Sequence, residues 1–397
     1  MKVYGIVAEY NPFHNGHKYL VDECRRNGAT HIVAVMSGNF VQRGSVAIMD
    51  KRARAKAALL SGIDLVLELP LPWAVATAEL FARGGVSVLS ALGCVDTLAF
   101  GTETADETLL RAAAEAVCDI KVHELISKKL TTGITYATAR EDAVRELYGG
   151  DIADILKEPN NILAVEYMKA LKAMGDPMSV FPVERIGASH DSLKDSGEFS
   201  SASALRIMLE RGDRTAFSFM PRATAEVFLE QKEIGKAPAC FEESERAILS
   251  RLRQLTLKDI KKAPDVSEGL ENRIFSAIES ATSLEELYNT IKTKRYTHSR
   301  IRRIITSLYL GILPSLAQRP VPYIRVLGFS EVGREVLKKA RKSAKLPVIM
   351  KAAQIEEQND DAKDLFDLEC KATNLYNLAT PRILPCGTEL TDEVVMI

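Results

Sequence analysis

Residues 11–17 read N-P-F-H-N-G-H and hold two of the chain's six histidines, three residues apart around a glycine. Residues three apart on a helix share a face, and a glycine lets a ligand approach the backbone closely. At a helix start, unpaired N–H groups and the dipole favour an anion. Two imidazole N–H donors there can hold phosphate oxygens while charge moves between them. Two surface or capping histidines would show the same spacing. As metal ligands the pair lacks a third and fourth partner, so no metal site is expected.

A second candidate is F-S-S-A-S-A-L-R, Phe199–Arg206. Ser200 and Ser201 at a helix start can cap it and donate to phosphate. Arg206 can clamp a leaving pyrophosphate through its planar fork. A plain capped helix with a solvated arginine is the competing reading. A third is Lys292–Arg303, K-T-K-R-Y-T-H-S-R-I-R-R, with six basic residues and no acid. Lys294, Arg295, Tyr296, Arg300, Arg302 and Arg303 there suit phosphate contacts plus stacking on an exposed base, although a solvated helix face has a similar composition. Lys338–Lys345 is a weaker basic run. His190 and Asp191 form an H-D pair just before the serines, and Glu356–Asp367 reads as a solvated acidic helix face.

These residues need a frame. Val3–Ala8, His31–Met36, Ile63–Leu69 and Val95–Phe100 read as strands. Helical patterns at His14–Asn27, Asp50–Ser61 and Thr77–Leu92 lie between them. Fully apolar strands separated by helices imply an α/β fold with a doubly wound parallel sheet, its ligand site at the carboxyl ends of the strands. The stretch 105–175 reads as a helical insertion, Met178–Glu184 as a fifth strand and Ser201–Arg211 as a further helix. From Glu242 to Leu313 the pattern is helical. Tyr323–Phe329, Glu331–Ala344 and Pro347–Met350 read as a small strand–helix–strand unit. A boundary near Lys236–Pro238 then divides a catalytic domain, 1–235, from a mainly helical region, 236–397.

The chain has 397 residues, 52 basic and 53 acidic, and a formal charge of −1. Such balance excludes a generally basic nucleic-acid coat but not a local basic patch. The start has no signal-peptide pattern, and no apolar run reaches the ~18 residues of a membrane span. Cysteines 24, 94, 118, 240, 370 and 386 form no C-x-x-C pair, so neither a zinc site nor a disulfide framework is expected. Reduced thiols and a cytoplasmic location follow.

A first strand, a loop and H-N-G-H at a helix start, with a later S-S-x-x-x-x-R, resemble the H-x-G-H nucleotidyltransferase superfamily. V-A-E-Y-N-P-F-H-N-G-H (7–17), M-S-G-N-F-V-Q-R-G (36–44), D-L-V-L-E-L-P (64–70), F-G-T-E (100–103), N-N-I-L-A-V-E-Y (160–167) and K-R-Y-T (294–297) sharpen this. Together they resemble the bacterial tRNA(Met) cytidine acetate ligases, specifically over the N-terminal half and more loosely beyond residue 240.

The resemblance implies a Rossmann-like nucleotidyltransferase fold and a ligase. Such an enzyme makes acetyl-adenylate from ATP and acetate, with Mg²⁺ on the phosphates. It then acetylates N4 of the wobble cytidine of elongator tRNA(Met), with no DNA or membrane partner. It implies catalytic roles for His14, His17, Ser200, Ser201 and Arg206. ATP binding falls to Val7, Ala8, Glu9, Tyr10, Asn11, Pro12, Phe13, His14, Asn15, Gly16, His17, Lys18, Tyr19, Leu20, Gly101, Asn161, Arg185 and Ile186. Asn161 is chosen over Asn160, and the positions across 186–199 match the family incompletely. Ser37, Asn39 and Arg43, after the second strand, are expected to hold acetate or cytidine. A small-molecule adenylyl- or cytidylyltransferase is the alternative within the superfamily. A non-catalytic RNA-binding protein with a degenerate nucleotide fold is the alternative outside it.

Overall fold

The computed structural model describes residues 1–186, 200–267 and 269–397. The expected strands and helices are all present among them. β1 (Val3–Ala8), β2 (His31–Ser37), a small hairpin of β3 (Phe40–Val41) and β4 (Ser45–Val46), β5 (Leu65–Leu69), β6 (Thr97–Thr102) and β7 (Ser179–Glu184) come from the first half. β8 (Ile324–Phe329), β9 (Val348–Ile349) and β10 (Val395–Met396) come from the last quarter. The sheet runs β10-β8-β5-β2-β1-β6-β7, with β9 on β8.

Side-chain alternation along β1 explains the layering. Val3 and Val7 pack with the helix Ala78–Leu92 through Val86 and Leu89. Tyr4 and Ile6 face the other way, against Val21 and Cys24 of α1 (Asn15–Arg26) and Ala55, Ala58 and Leu59 of α2 (Lys51–Leu60). Both faces are covered, which is why the strands read as near-continuous apolar runs. From β1 the chain winds outward through β2 and β5 on one side and β6 and β7 on the other. The crevice where the winding reverses opens at the carboxyl ends of β1 and β6.

The helical insertion is as expected, with helices Glu107–Ala116, Ile120–Leu130, Tyr136–Tyr148 and Pro159–Ala173. The strand–helix–strand unit is also present, but it does not stand apart. β8 pairs antiparallel with β5, placing Phe329 opposite Leu65, so the sheet is mixed rather than purely parallel. β8 is buried throughout, and its place on β5 covers an edge that would otherwise be exposed. Helices between 245 and 310 gather a second apolar core around Ile274, Leu287, Ile301 and Ile305.

A buried ionic cluster ties the tail to the sheet. Lys51 Nζ lies 2.6 Å from Glu68 Oε1 and 2.9 Å from Glu389 Oε1, and Arg325 Nη2 lies 2.7 Å from that same Glu389 oxygen. Glu369, on the helix Asp360–Tyr376, accepts the Leu71 N–H at 2.6 Å. Burial and the nearby Glu68 push its carboxyl up to about 8. Burial alone would also raise Glu389, but Lys51 and Arg325 pull it down to about 2. With Glu369 protonated, Lys51 and Arg325 face Glu68 and Glu389, and Arg52 Nη2 lies 3.9 Å from Glu389. The acidic stretch 356–367 keeps its outward carboxylates exposed, as expected.

Candidate functional site

β1 ends at Ala8, and the chain then turns sharply through Tyr10, which has a φ of +47°. A non-glycine residue in that region costs on the order of 1–3 kcal/mol and needs support. Support comes from three sides. The Asn11 side chain accepts the Ile48 N–H at 2.8 Å, Arg206 Nη1 donates to the Asn11 carbonyl at 2.8 Å, and Arg54 donates to the Glu9 carbonyl. Arg54, on α2, is fully buried and makes no ion pair among the described residues. It also donates to the carbonyls of Met49, Ser37 and Gly38. One guanidinium thus pins the ends of β1 and β2.

The loop delivers His14 as the N-cap of α1 and His17 to its first turn. His14 Nδ1 accepts the Gly16 N–H at 3.0 Å, and His17 Nδ1 accepts the His14 N–H at 3.2 Å. Both Nδ1 atoms are acceptors, so both rings carry their proton on Nε2. The rings stack with centroids 3.7 Å apart. Burial, then Arg185 and Arg206, push His14 down to about 3. Burial, then His14 and Arg185, hold His17 well below its usual range. The pair is therefore neutral near pH 7, with its Nε2–H donors available.

Two cavities meet along this pair, sharing Val7, Ala8, His17, Asn160, Leu163 and Arg185. The inner one adds Ile6, Gly16, Tyr19, Leu20, Phe100, Gly101, Tyr167, Val183, Glu184 and Ile186. The outer one adds Glu9, Tyr10, Asn11, His14, Gln42, Arg43, Phe81, Ser201, Ala202, Ser203 and Arg206. The inner cavity is mostly apolar and suits a base and sugar, and the outer is cationic and suits phosphates. A Cβ at Gly101 would touch only the Arg185 stem, at 3.4 Å, so packing alone does not demand glycine there.

The second motif arrives where it was expected. Ser201 caps the helix Ala202–Glu210 by accepting the Ala204 N–H at 3.1 Å. The Ser200 hydroxyl is buried with no hydrogen-bond partner among the described residues. Arg206 Nη2 donates to Ser203 Oγ at 3.0 Å. His190 and Asp191, with most of the incompletely matched 186–199 tract, lie outside the described residues.

Other expected contacts fall elsewhere. Asn161 does not line either cavity. It is buried, and its Oδ1 accepts from Thr102 Oγ1, Glu103 N and Thr104 N, clamping the turn after β6. Asn160 is the one that lines both cavities. Pro12 and Phe13 are buried, Asn15 Nδ2 donates to Ser218 O at 3.1 Å, and Lys18 pairs with Asp22. Ser37 and Asn39 are buried away from the cavities, and Asn39 bonds Lys51 N and Thr373 Oγ1. Of that expected trio only Arg43 reaches the cavity. Gln42, Leu163 and Ser203 lie within the quoted motifs but were not expected as lining residues, and Phe81 lies in none of those motifs.

The basic run 292–303 is divided by its helix, His298–Leu310. Tyr296 is buried beneath Arg300, whose guanidinium lies 5.3 Å from its ring, so it offers no stacking face to a base. Arg300 and Arg303 share a face and hold Asp265, the first at its carbonyl (2.8 Å) and the second at its carboxylate (2.9 Å). Lys294, Arg295 and Arg302 remain exposed. This helix packs on the hairpin, where a Cβ at Gly44 would lie 2.4 Å from Arg302 C and Arg303 N. The hairpin also carries Gln42 and Arg43, which line the outer cavity, so the exposed Arg302 and that cavity share the hairpin. Among the described residues no group of three or more His, Cys, Asp or Glu is placed to hold a metal, and no helix is long and apolar enough to cross a membrane.

The chain matches the HIGH Nucleotidyl Transferase family over residues 1–387. It is 41% identical over 387 residues, 96% of each chain, to the tRNA(Met) cytidine acetate ligase of Thermoanaerobacter sp. (strain X514). With that of Acetivibrio thermocellus it shares 36% identity over 415 residues, all of both chains. Crystal structures of Thermotoga maritima TmcAL superpose with TM-scores of 0.95 for an apo form and 0.94 for a form bound with alpha-thio ATP. Each is 32% identical and covers both chains fully.

Proposed function

The chain belongs to the HIGH nucleotidyltransferase family and, within it, to the tRNA(Met) cytidine acetate ligases, and from that membership we infer that it activates acetate with ATP and acetylates a cytidine of tRNA(Met). The observation that carries the reading is the neutral His14–His17 pair, with both protons on Nε2, opening into a cavity shared with Arg185 and Arg206.

Adenine and ribose take the inner cavity against Gly101, and the triphosphate crosses His17 into the outer one. Acetate attacks the α-phosphorus in line, the bond to the bridging oxygen breaks, and pyrophosphate leaves. The barrier is mostly electrostatic and positional, so fixed donors do most of the work. The Nε2–H groups of His14 and His17 hold the α-phosphoryl oxygens as their charge grows. Arg206 and the Ser200 and Ser201 hydroxyls meet the leaving pyrophosphate. Arg185 spans both cavities and neutralises the chain of phosphates. The outer cavity offers a single carboxylate, Glu9, among the described residues. A lining so poor in carboxylates leaves a Mg²⁺ ion to the phosphates themselves, where it would supply added charge neutralisation.

The second step needs the tRNA at the same mouth. We assign its docking to the exposed Lys294, Arg295 and Arg302, and the helical region 236–397 to positioning it, with the enzyme working in the cytoplasm on RNA rather than DNA. Reversing these three charges should weaken tRNA binding and reduce the steepness of its salt dependence, by roughly 0.9 or less of log–log slope per lost phosphate contact. ATP binding should stay unchanged. Filter binding across salt concentrations checks this, and an unchanged slope would remove these residues from the interface.

The reading as a whole is tested by incubating the protein with ATP, Mg²⁺, labelled acetate and total bacterial tRNA, then digesting the tRNA. Label should appear in N4-acetylcytidine. Pyrophosphate released only with other small substrates, and no label in RNA, would replace it with a small-molecule nucleotidylyltransferase.

A further inference from the structure

Glu9 is the only acid among the described residues lining the outer cavity, beside Arg43, Arg185 and Arg206. A carboxylate here repels both the triphosphate and an incoming acetate, so it does not assist the first half-reaction. One of its oxygens is accounted for: Oε1 accepts the Gln42 N–H at 2.8 Å, which fixes the side chain against the β3–β4 hairpin. The other takes no hydrogen bond from any described residue and is not sealed from solvent. The side chain is thus held at one end and available at the other.

The transfer half-reaction lacks a group for one task. The exocyclic amine of cytosine is a weak nucleophile because its lone pair is delocalised into the ring. Its attack becomes effective only if a proton leaves as the new bond forms, which requires a positioned acceptor. A carboxylate is also the natural hydrogen-bond partner of the cytosine amine.

We propose that the Glu9 carboxylate accepts the N4 proton of the incoming cytidine during acetyl transfer. This rests on the ligase reading above. The N4 lone pair forms a bond to the acetyl carbonyl carbon, and the carbonyl electrons move onto oxygen. They return as the acyl C–O bond to AMP breaks. AMP leaves as its phosphate anion, and the proton passes from N4 to Glu9, then to water.

Glu9→Gln separates this role from the others. The glutamine amide oxygen still accepts the Gln42 N–H, and the side chain keeps its size, but it cannot take a proton. Starting from preformed acetyl-adenylate reads the transfer step by itself, and ATP–pyrophosphate exchange is measured beside it. Single-turnover transfer from preformed acetyl-adenylate to tRNA should fall by about 10²–10⁴-fold. Transfer at the wild-type rate overturns the proposal. Transfer that falls no further than exchange does also overturns it, because Glu9 would then act through adenylation or loop support. If the wild-type protein acetylates no tRNA, the ligase reading itself fails, whatever the variant does.

Discussion

Replacing His17 by alanine should slow acetyl-adenylate formation by about 10²–10³-fold, the scale seen when one preorganised donor to a developing oxyanion is lost. The geometry makes the prediction finer. Both histidines present a neutral Nε2–H, because each Nδ1 already accepts a backbone N–H. A glutamine amide reaches the Nε2 position and an asparagine amide does not. His14→Gln and His17→Gln should therefore retain more exchange activity than the asparagine variants. The neutral state also fixes the pH dependence. Both folded values are depressed, so neither ring gains a proton above pH 6 and adenylation should not decline between pH 6 and 8 for their sake. A rate that falls across that window, and no longer falls in His14→Gln, would mean that an imidazolium does the work.

The same depression bears on stability. Unfolded histidine binds a proton near pH 6.5, while His14 in the fold waits until about 3. Its contribution is present above 6.5 and is lost as pH falls toward 3. Melting temperatures of His14→Gln should gain on wild type between pH 7 and 4.5.

Lys51→Met should be the most damaging single change outside the cavities. It leaves Glu68 and Glu389 buried with Arg325, and Arg52 at 3.9 Å from Glu389, to balance them. Breaking a buried ion pair from one side costs about 3–5 kcal/mol, a large share of ordinary domain stability. Denaturant melts should show the loss, and a change under about 1 kcal/mol would mean that water reaches the cluster. Glu369→Gln should act in the opposite sense. Glu369 is raised to about 8, so its contribution is complete below its unfolded value near 4.3 and fades as pH rises through 8. A glutamine stays neutral and still accepts the Leu71 N–H through its carbonyl. The variant should match wild type near pH 5 and exceed it at pH 8.5.

The strands of the first half could be read from the sequence because both faces of the sheet are covered, so apolar residues dominate each run and polar ones such as Glu68 are isolated within it. The capping residues His14, Asp50, Thr77 and Ser201 marked helix starts to within a residue. What stayed hidden depends on partners far along the chain. Asn39 reads as a loop polar residue until Thr373 arrives to bond it. Arg54 sits in a helix rich in alanine and basic residues and looks solvated, yet four carbonyls from three segments close over it. Asn160 and Asn161 are adjacent on a helix, about 100° apart around its axis, and spacing alone does not tell which faces the cavity. In the basic run, the alternation of Ile301, Ile304 and Ile305 with arginines gave the helix its buried face. Nothing local announced that Asp265 would occupy two of those arginines.

The place of β8 has a consequence for how the protein is made. Its partner β5 leaves the ribosome about 260 residues earlier, which at ~5–20 residues per second is roughly 10–50 s. During that interval the nascent sheet has an open apolar edge, and Lys51 has Glu68 but neither Arg325 nor Glu389 near it. The sheet therefore gains its last edge only once the tail of the chain has been synthesised, and the unfinished edge is a natural target for chaperones that bind extended apolar segments.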